Sequence, residues 1–245
     1  MTGARTAIVA AVAAATALLA GCAATPPTDS APAFEVLAAR PPRPDEALRA
    51  ADCEPLRARK ERWAIVEATG ADDPSTGTIE VSFETDGGRV VRRDPAGTRV
   101  LVRTADGGVA LAEQFDASDG STVRFTPPLA LAPARLAPGD APSAEAEAHT
   151  GKAGADDRDP GRAQRSIRIG AAERVRTPLG DFDALRVDAT FSLKVPFASM
   201  RRETSAWVVP GLGPVAVRSD ERILVMGIVP RNRSETRVLL TGDAR

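Results

Sequence analysis

Residues 186–195 read Arg-Val-Asp-Ala-Thr-Phe-Ser-Leu-Lys-Val: Val187, Ala189, Phe191, Leu193 and Val195 alternate with Asp188, Thr190, Ser192 and Lys194. Side chains two apart lie on one face of a strand, so this run has an apolar face and a polar face, as a half-buried antiparallel strand requires. Thr78–Glu84 repeats the pattern upstream, with Ile79, Val81 and Phe83 set against Glu80 and Ser82. Shorter alternations occur at 89–92, 99–103, 109–115, 122–125, 166–169, 206–209, 215–218, 223–229 and 236–240. Asp86-Gly87-Gly88, Asp106-Gly107-Gly108 and Asp119-Gly120 fall between them and supply the positive φ angles that hairpin turns need.

Regular short strands, local turns and the lack of a long amphipathic segment predict a mainly β domain. The expected form is a curved antiparallel meander sheet, a half-barrel or barrel-like, with at most one or two short helices. Residues 138–165 are rich in Gly, Asp and Ala and have the composition of a linker. However, Ala144, Ala146 and Ala148 alternate with Glu145, Glu147 and His149, which favours a two-strand hairpin whose polar tip is 151–159.

Working outward to the N-terminus, Arg5 precedes a run from Ala7 to Ala20 in which only Thr16 is not apolar, the layout of a signal peptide. A run of about 14 residues is too short to span a bilayer as a helix, which takes roughly 20. Leu18-Leu19-Ala20-Gly21-Cys22 resembles the lipobox of bacterial lipoprotein precursors. That resemblance implies cleavage after residue 21 and a diacylglyceryl group on the Cys22 thiol, a membrane anchor held by about 0.8 kcal/mol per buried methylene. Ala23, where a retention signal would place Asp, implies the periplasmic face of the outer membrane.

The expected organisation is a signal peptide (1–21), a Pro/Ala-rich tether with a possible short helix (22–52) and a single β domain (53–245). Removing residues 1–21, whose only charged side chain is Arg5, takes the formal charge from −1 to −2, so no nucleic-acid partner is expected. With Cys22 lipidated, Cys53 is the only cysteine left, and it is either buried and inert or free to pair with another chain.

Three further groups of residues define a second resemblance. They are Glu173-Arg174-Val175, Thr177-Pro178-Leu179-Gly180-Asp181-Phe182-Asp183-Ala184-Leu185-Arg186-Val187 and Trp207-Val208-Val209-Pro210-Gly211-Leu212-Gly213-Pro214-Val215. The pattern is similar to uncharacterised bacterial envelope β-sheet proteins of the DUF3108-like and LolA/LppX-like group. Pro178 and Gly180 form one expected reversal and Pro210, Gly211 and Gly213 another, with Phe182, Leu185 and Trp207 packing on the sheet beside them. The chain departs from the group in having no tyrosine and in carrying arginine-rich strands.

Catalytic patterns are sparse. His149 is the sole histidine, which rules out His-based metal clusters and leaves at most one imidazole for a triad. Asp181 and Asp183 have the spacing of a carboxylate pair but adjoin a turn. Asp156, Asp157 and Asp159 lack the glycine and terminal glutamate of a calcium loop. Arg201, Arg202, Arg165, Arg168 and Arg218 could form a positive face for phosphate headgroups, although Glu203, Asp220 and Glu221 are interspersed with them. The chain is therefore read as non-enzymatic, with no cofactor and no metal.

Two functions remain open. In the first, the curved sheet binds a lipid or other hydrophobic ligand lined by Ile79, Val81, Phe83, Val187, Phe191 and Leu193. In the second, a packed sheet docks an envelope protein partner.

Overall fold

The structure is a computed structural model that describes residues 33–70, 77–118, 120–152, 160–196, 198–225 and 229–242. The expected signal peptide, the Cys22 anchor, the first part of the tether and the tip bearing Asp156, Asp157 and Asp159 lie outside the described residues.

In chain order come β1 (Glu35–Arg40), β2 (Leu48–Arg49), α1 (Ala50–Cys53), β3 (Arg59–Gly70), β4 (Gly77–Asp86), β5 (Arg89–Asp94), β6 (Gly97–Arg103) and β7 (Val109–Asp116). Then follow β8 (Ser121–Ala132), β9 (Arg135–Leu136), β10 (Ser143–Lys152), β11 (Gly161–Thr177), β12 (Gly180–Val195), β13 (Ala198–Val209), β14 (Gly213–Val225) and β15 (Val229–Gly242). From β3 onward each strand pairs with the next one in the chain, except that β9 leaves the sheet and β10 pairs with β8. Because β15 pairs with β3, twelve antiparallel strands close into an up-and-down barrel.

The alternation read from the sequence sets the two faces. Val187, Ala189, Phe191, Leu193 and Val195 point inward from β12, and their cross-strand partners on β13 are Ala206, Thr204, Arg202, Met200 and Ala198. Ile79, Val81 and Phe83 point inward from β4. Val81, Phe83, Val187 and Phe191 are buried, whereas Ile79 and Leu193 are partly buried against them. Gly87 and Gly88 both have positive φ (52° and 82°) and turn β4 into β5, as the Asp-Gly-Gly signal required. The 143–152 and 161–177 segments form the expected hairpin.

An eight-stranded barrel is about the width that side chains alone can fill, so twelve strands leave more space to close. Part of it is taken by a plug made of β2, α1 and β9. Leu48 and Leu136 face each other across the β2–β9 pair, are 0% and 1% exposed, and pack on Ile167, Ile169, Leu185, Val187 and Val208. Asp52 fixes the plug: its Oδ1 accepts from the Gly211 amide at 2.9 Å in the β13–β14 turn, and its Oδ2 accepts from the Arg49 amide at 2.8 Å.

The opposite face of the sheet is mostly charged, with Arg168, Asp188, Arg201, Glu203, Arg218 and Asp220 on it, whereas a membrane-spanning barrel presents an apolar band there. An exception is a patch of Ala64, Val175, Ala184, Trp207, Ala216 and Val238, against which Phe34 packs with its ring 4.5 Å from that of Trp207. Phe182 and Leu185, expected together on the sheet, separate: Phe182 joins this patch and Leu185 the interior, as their odd spacing requires.

The segment read as tether differs from that reading. Residues from 33 onward belong to the same compact unit as the barrel, and Glu35–Arg40 form a strand antiparallel to β11. The reason lies in β11: at 17 residues it outruns the 10-residue β10, which covers only 161–166 on that side. The unpaired edge at 172–176 is then taken by β1. The expected short helix is present only as α1, which ends at Cys53 with Glu54 as its C-cap before Pro55.

Candidate functional site

The interior is not uniformly apolar. Starting at β5 and moving around the wall, Arg92 pairs with Arg99 on β6, Arg99 with Gln114 on β7, Gln114 with Val123 on β8, and Val123 with Thr150 on β10. Directly paired residues project to the same side, and Val123 of this set packs against the inner core, as does Phe125 two residues along the same face of β8. Arg92, Arg99, Gln114 and Thr150 therefore form an inward polar row. On the far wall, Arg165 (β11), Phe191 (β12), Arg202 (β13) and Glu221 (β14) form a second one.

These rows interact across the lumen. Arg202 lies half-way round the ring from Arg99, and the two guanidiniums still repel each other. The plug contributes Glu54, whose carboxylate acts on both Arg99 and Arg165 without reaching ion-pair distance of either. Burial, reinforced by Arg92 and Arg202, lowers the Arg99 pKa to about 9. Burial also lowers Arg237, to about 10, with Arg92 pushing in the same direction, and it lowers Arg165 and Arg59.

Most interior guanidiniums have a carboxylate. Arg92 meets Asp94 at 3.2 Å, and Arg202 meets Glu221 through Nε at 2.6 Å. Arg59 pairs with Glu61, and Arg237 with Glu235. Phe83 lies between the Arg59 and Arg92 guanidiniums, at 5.3 and 5.9 Å from its centroid. Two lack such a partner among the described residues. Arg165 donates only to the Leu131 carbonyl, at 3.1 Å, and Arg99 has no hydrogen bond or ion pair. Gln114 beside it makes no side-chain hydrogen bond either. Arg92 Nε and the Thr150 hydroxyl, the latter 8% exposed, are buried without hydrogen-bond partners.

The structure divides the five arginines that the sequence grouped as one positive face. Arg201, Arg168 and Arg218 lie outside and meet Glu203, Asp188 and Glu67, at 2.9, 4.0 and 3.9 Å. Arg165 and Arg202 point into the lumen. Adjacent residues on a strand face opposite ways, so the Arg201-Arg202 dipeptide already carried this division. Arg99 was missed because its strand was recognised by valine and leucine alone.

The other sequence candidates lie apart from the lumen. Asp181 is exposed at the β11–β12 turn, where the Arg176 guanidinium at 2.9 Å holds its carboxyl below the usual range. Asp183 is exposed beside it. His149 is on the outer face, 3.6 Å from Glu147. Cys53 is inside the barrel against both apolar clusters, and burial raises its pKa to about 12. Among the described residues, no three His, Cys, Asp or Glu side chains are grouped closely enough to hold a metal ion. Two shallow outer grooves of about 460 and 560 Å³ are lined by residues such as Arg168, Asp188 and Glu203 in the first and Arg162, Arg201 and Arg222 in the second.

No family model matches the chain, and no curated protein matches it. Among solved structures it is similar to an exported protein with YmcC-like fold from Bacteroides fragilis NCTC 9343. The identity is 14%, the match covers 76% of this chain and 96% of that one, and the TM-score is 0.38.

Proposed function

We propose that this chain is a lipid-anchored cell-envelope protein whose barrel is a non-enzymatic binding module, taking into its lumen a hydrophobic ligand that bears an anionic group. The observation that carries the reading is the mixed character of the inner wall. Phe83, on the same face of β4 as Ile79 and Val81, is paired with Arg59 on one side and Arg92 on the other, while Phe191 is paired directly with Arg165 on one side and Arg202 on the other. Apolar walls with a few placed polar groups are the usual lining of small-molecule sites. The anchor rests on the signal-peptide layout and the Leu-Leu-Ala-Gly-Cys run ending at Cys22, and with it the placement on the periplasmic face of an outer membrane. The resemblance of residues 173–215 to DUF3108-like and LolA/LppX-like envelope proteins agrees with this reading.

The test is native mass spectrometry and lipid extraction on the full chain, made with its own leader in a bacterium and purified in neutral detergent. The expected result is an acylated N-terminus at Cys22 and a stoichiometric anionic amphiphile. An unmodified Cys22 removes the anchor. A clean apo mass with no uptake of added fatty acid or phospholipid removes the ligand, and favours a second reading in which the protein docks an envelope partner. One feature supports that alternative: among the described residues β1 is hydrogen-bonded to β11 on one side only, and its other edge, on a strand where Val36 is 43% exposed, is a place for strand addition.

A further inference from the structure

We propose that the inward row Arg92–Arg99–Gln114 is a binding site for a small phosphate-type oxyanion, either free or as the head of a larger molecule. This deepens the ligand-binding reading and rests on it for the barrel's role, but its residues and its test are separate.

Three observations lie along this one row of the wall. Arg99 and Gln114 are cross-strand neighbours, and each faces the lumen with its hydrogen-bonding groups unused among the described residues. Arg92, the next residue along the row, has Asp94 on one end of its guanidinium and a buried, unpartnered Nε. Thr150, on the same row beyond Val123, adds a buried hydroxyl with no partner.

A buried donor left without an acceptor is costly, and a charged one more so. A guanidinium offers a planar fork of donors that fits the oxygens of a phosphate, and an amide can donate beside it. A bound oxyanion would engage Arg99 with its direct neighbours Arg92 and Gln114 and offset the repulsion that Arg99 experiences from Arg92 and Arg202. Glu54 is the opposing charge. It belongs to the plug, acts on Arg99 without an ion pair among the described residues, and would repel an anion bound there.

The experiment is isothermal titration of the full chain in neutral detergent with two probes: inorganic phosphate alone and dihexanoyl phosphatidate. At least one is expected to bind. Arg99→Met should weaken it tenfold or more, and Gln114→Leu severalfold. Arg99→Lys should retain part of the affinity, Glu54→Gln should tighten binding severalfold, and Arg174→Met on the outer hairpin should change nothing. Where an arginine-to-methionine variant fails to fold, the lysine and Glu54→Gln variants decide the question.

Phosphate binding with these responses identifies a free-anion site. Binding of the phosphatidate alone identifies a lipid headgroup. No binding of either probe, or binding indifferent to Arg99, Gln114 and Glu54, overturns the proposal. An amphiphile that co-purifies equally with wild type and Arg99→Met would leave the ligand-binding reading standing while this site falls. Phosphate binding without any co-purified amphiphile would do the reverse.

Discussion

Glu61 is 5% exposed and serves two neighbours: it pairs with Arg59 and accepts from the Trp63 indole Nε1 at 2.8 Å. Removing one member of a buried ion pair strands the other, at a cost of about 3–5 kcal/mol. Glu61→Ala is therefore expected to lower unfolding stability by about that amount, read from the urea midpoint at constant m-value, while Glu84→Ala on the exposed rim leaves it near wild type. Cys53 gives a pH prediction with a definite sign. Its thiol, which ordinarily titrates at 9.0, is raised by burial to about 12 in the folded state. Well below the lower value neither state ionises and the thiol adds no pH dependence. Between these two values the unfolded chain loses the proton while the folded one keeps it, so stability falls as pH rises. Denaturant unfolding followed upward through that window should show this decline, and Cys53→Ala should reduce it.

At the scale of elements, the plug and β1 determine how the barrel is finished. Asp52 joins α1 to the β13–β14 turn through the Gly211 amide and also caps its own helix through the Arg49 amide. Asp52→Ala should cost about 1–2 kcal/mol, the usual range for a lost cap. It should also raise hydrogen exchange at Gly211 before any change in the β12–β13 ladder. β1 depends on Phe34, whose ring rests on Trp207. Phe34→Ala should red-shift tryptophan emission as the indole becomes hydrated, with a stability loss of about 1 kcal/mol.

Legibility also divides by element. β12 and β4 could be read residue by residue because their alternation is unbroken and half-buried. β1 could not, because six residues between prolines carry too little pattern, and the need for the strand arises in β11, more than a hundred residues away. The lumenal arginines were legible in part: parity separates Arg202 from Arg201 and Arg165 from Arg168, but only the closed sheet shows which parity faces inward. Bulges, such as the one between Ile169 and Ala171, shift parity within a single strand and hide it further.

For the molecule as a whole, closure is the governing fact. Ring closure leaves no edge between β15 and β3, so amides at this seam should exchange as slowly as those of β12–β13, measurable by native-state hydrogen exchange. Markedly faster exchange at the seam would mean an open sheet. Because Glu61 pairs with Gly242, the last strand of the ring ends beside the beginning of the first. In a ring of sequential hairpins no break point is topologically privileged. The twelve ring strands can thus be circularly permuted, Gly242 joined to the start of β3 and new ends opened at a turn such as Gly87-Gly88, with every ring strand keeping both of its neighbours.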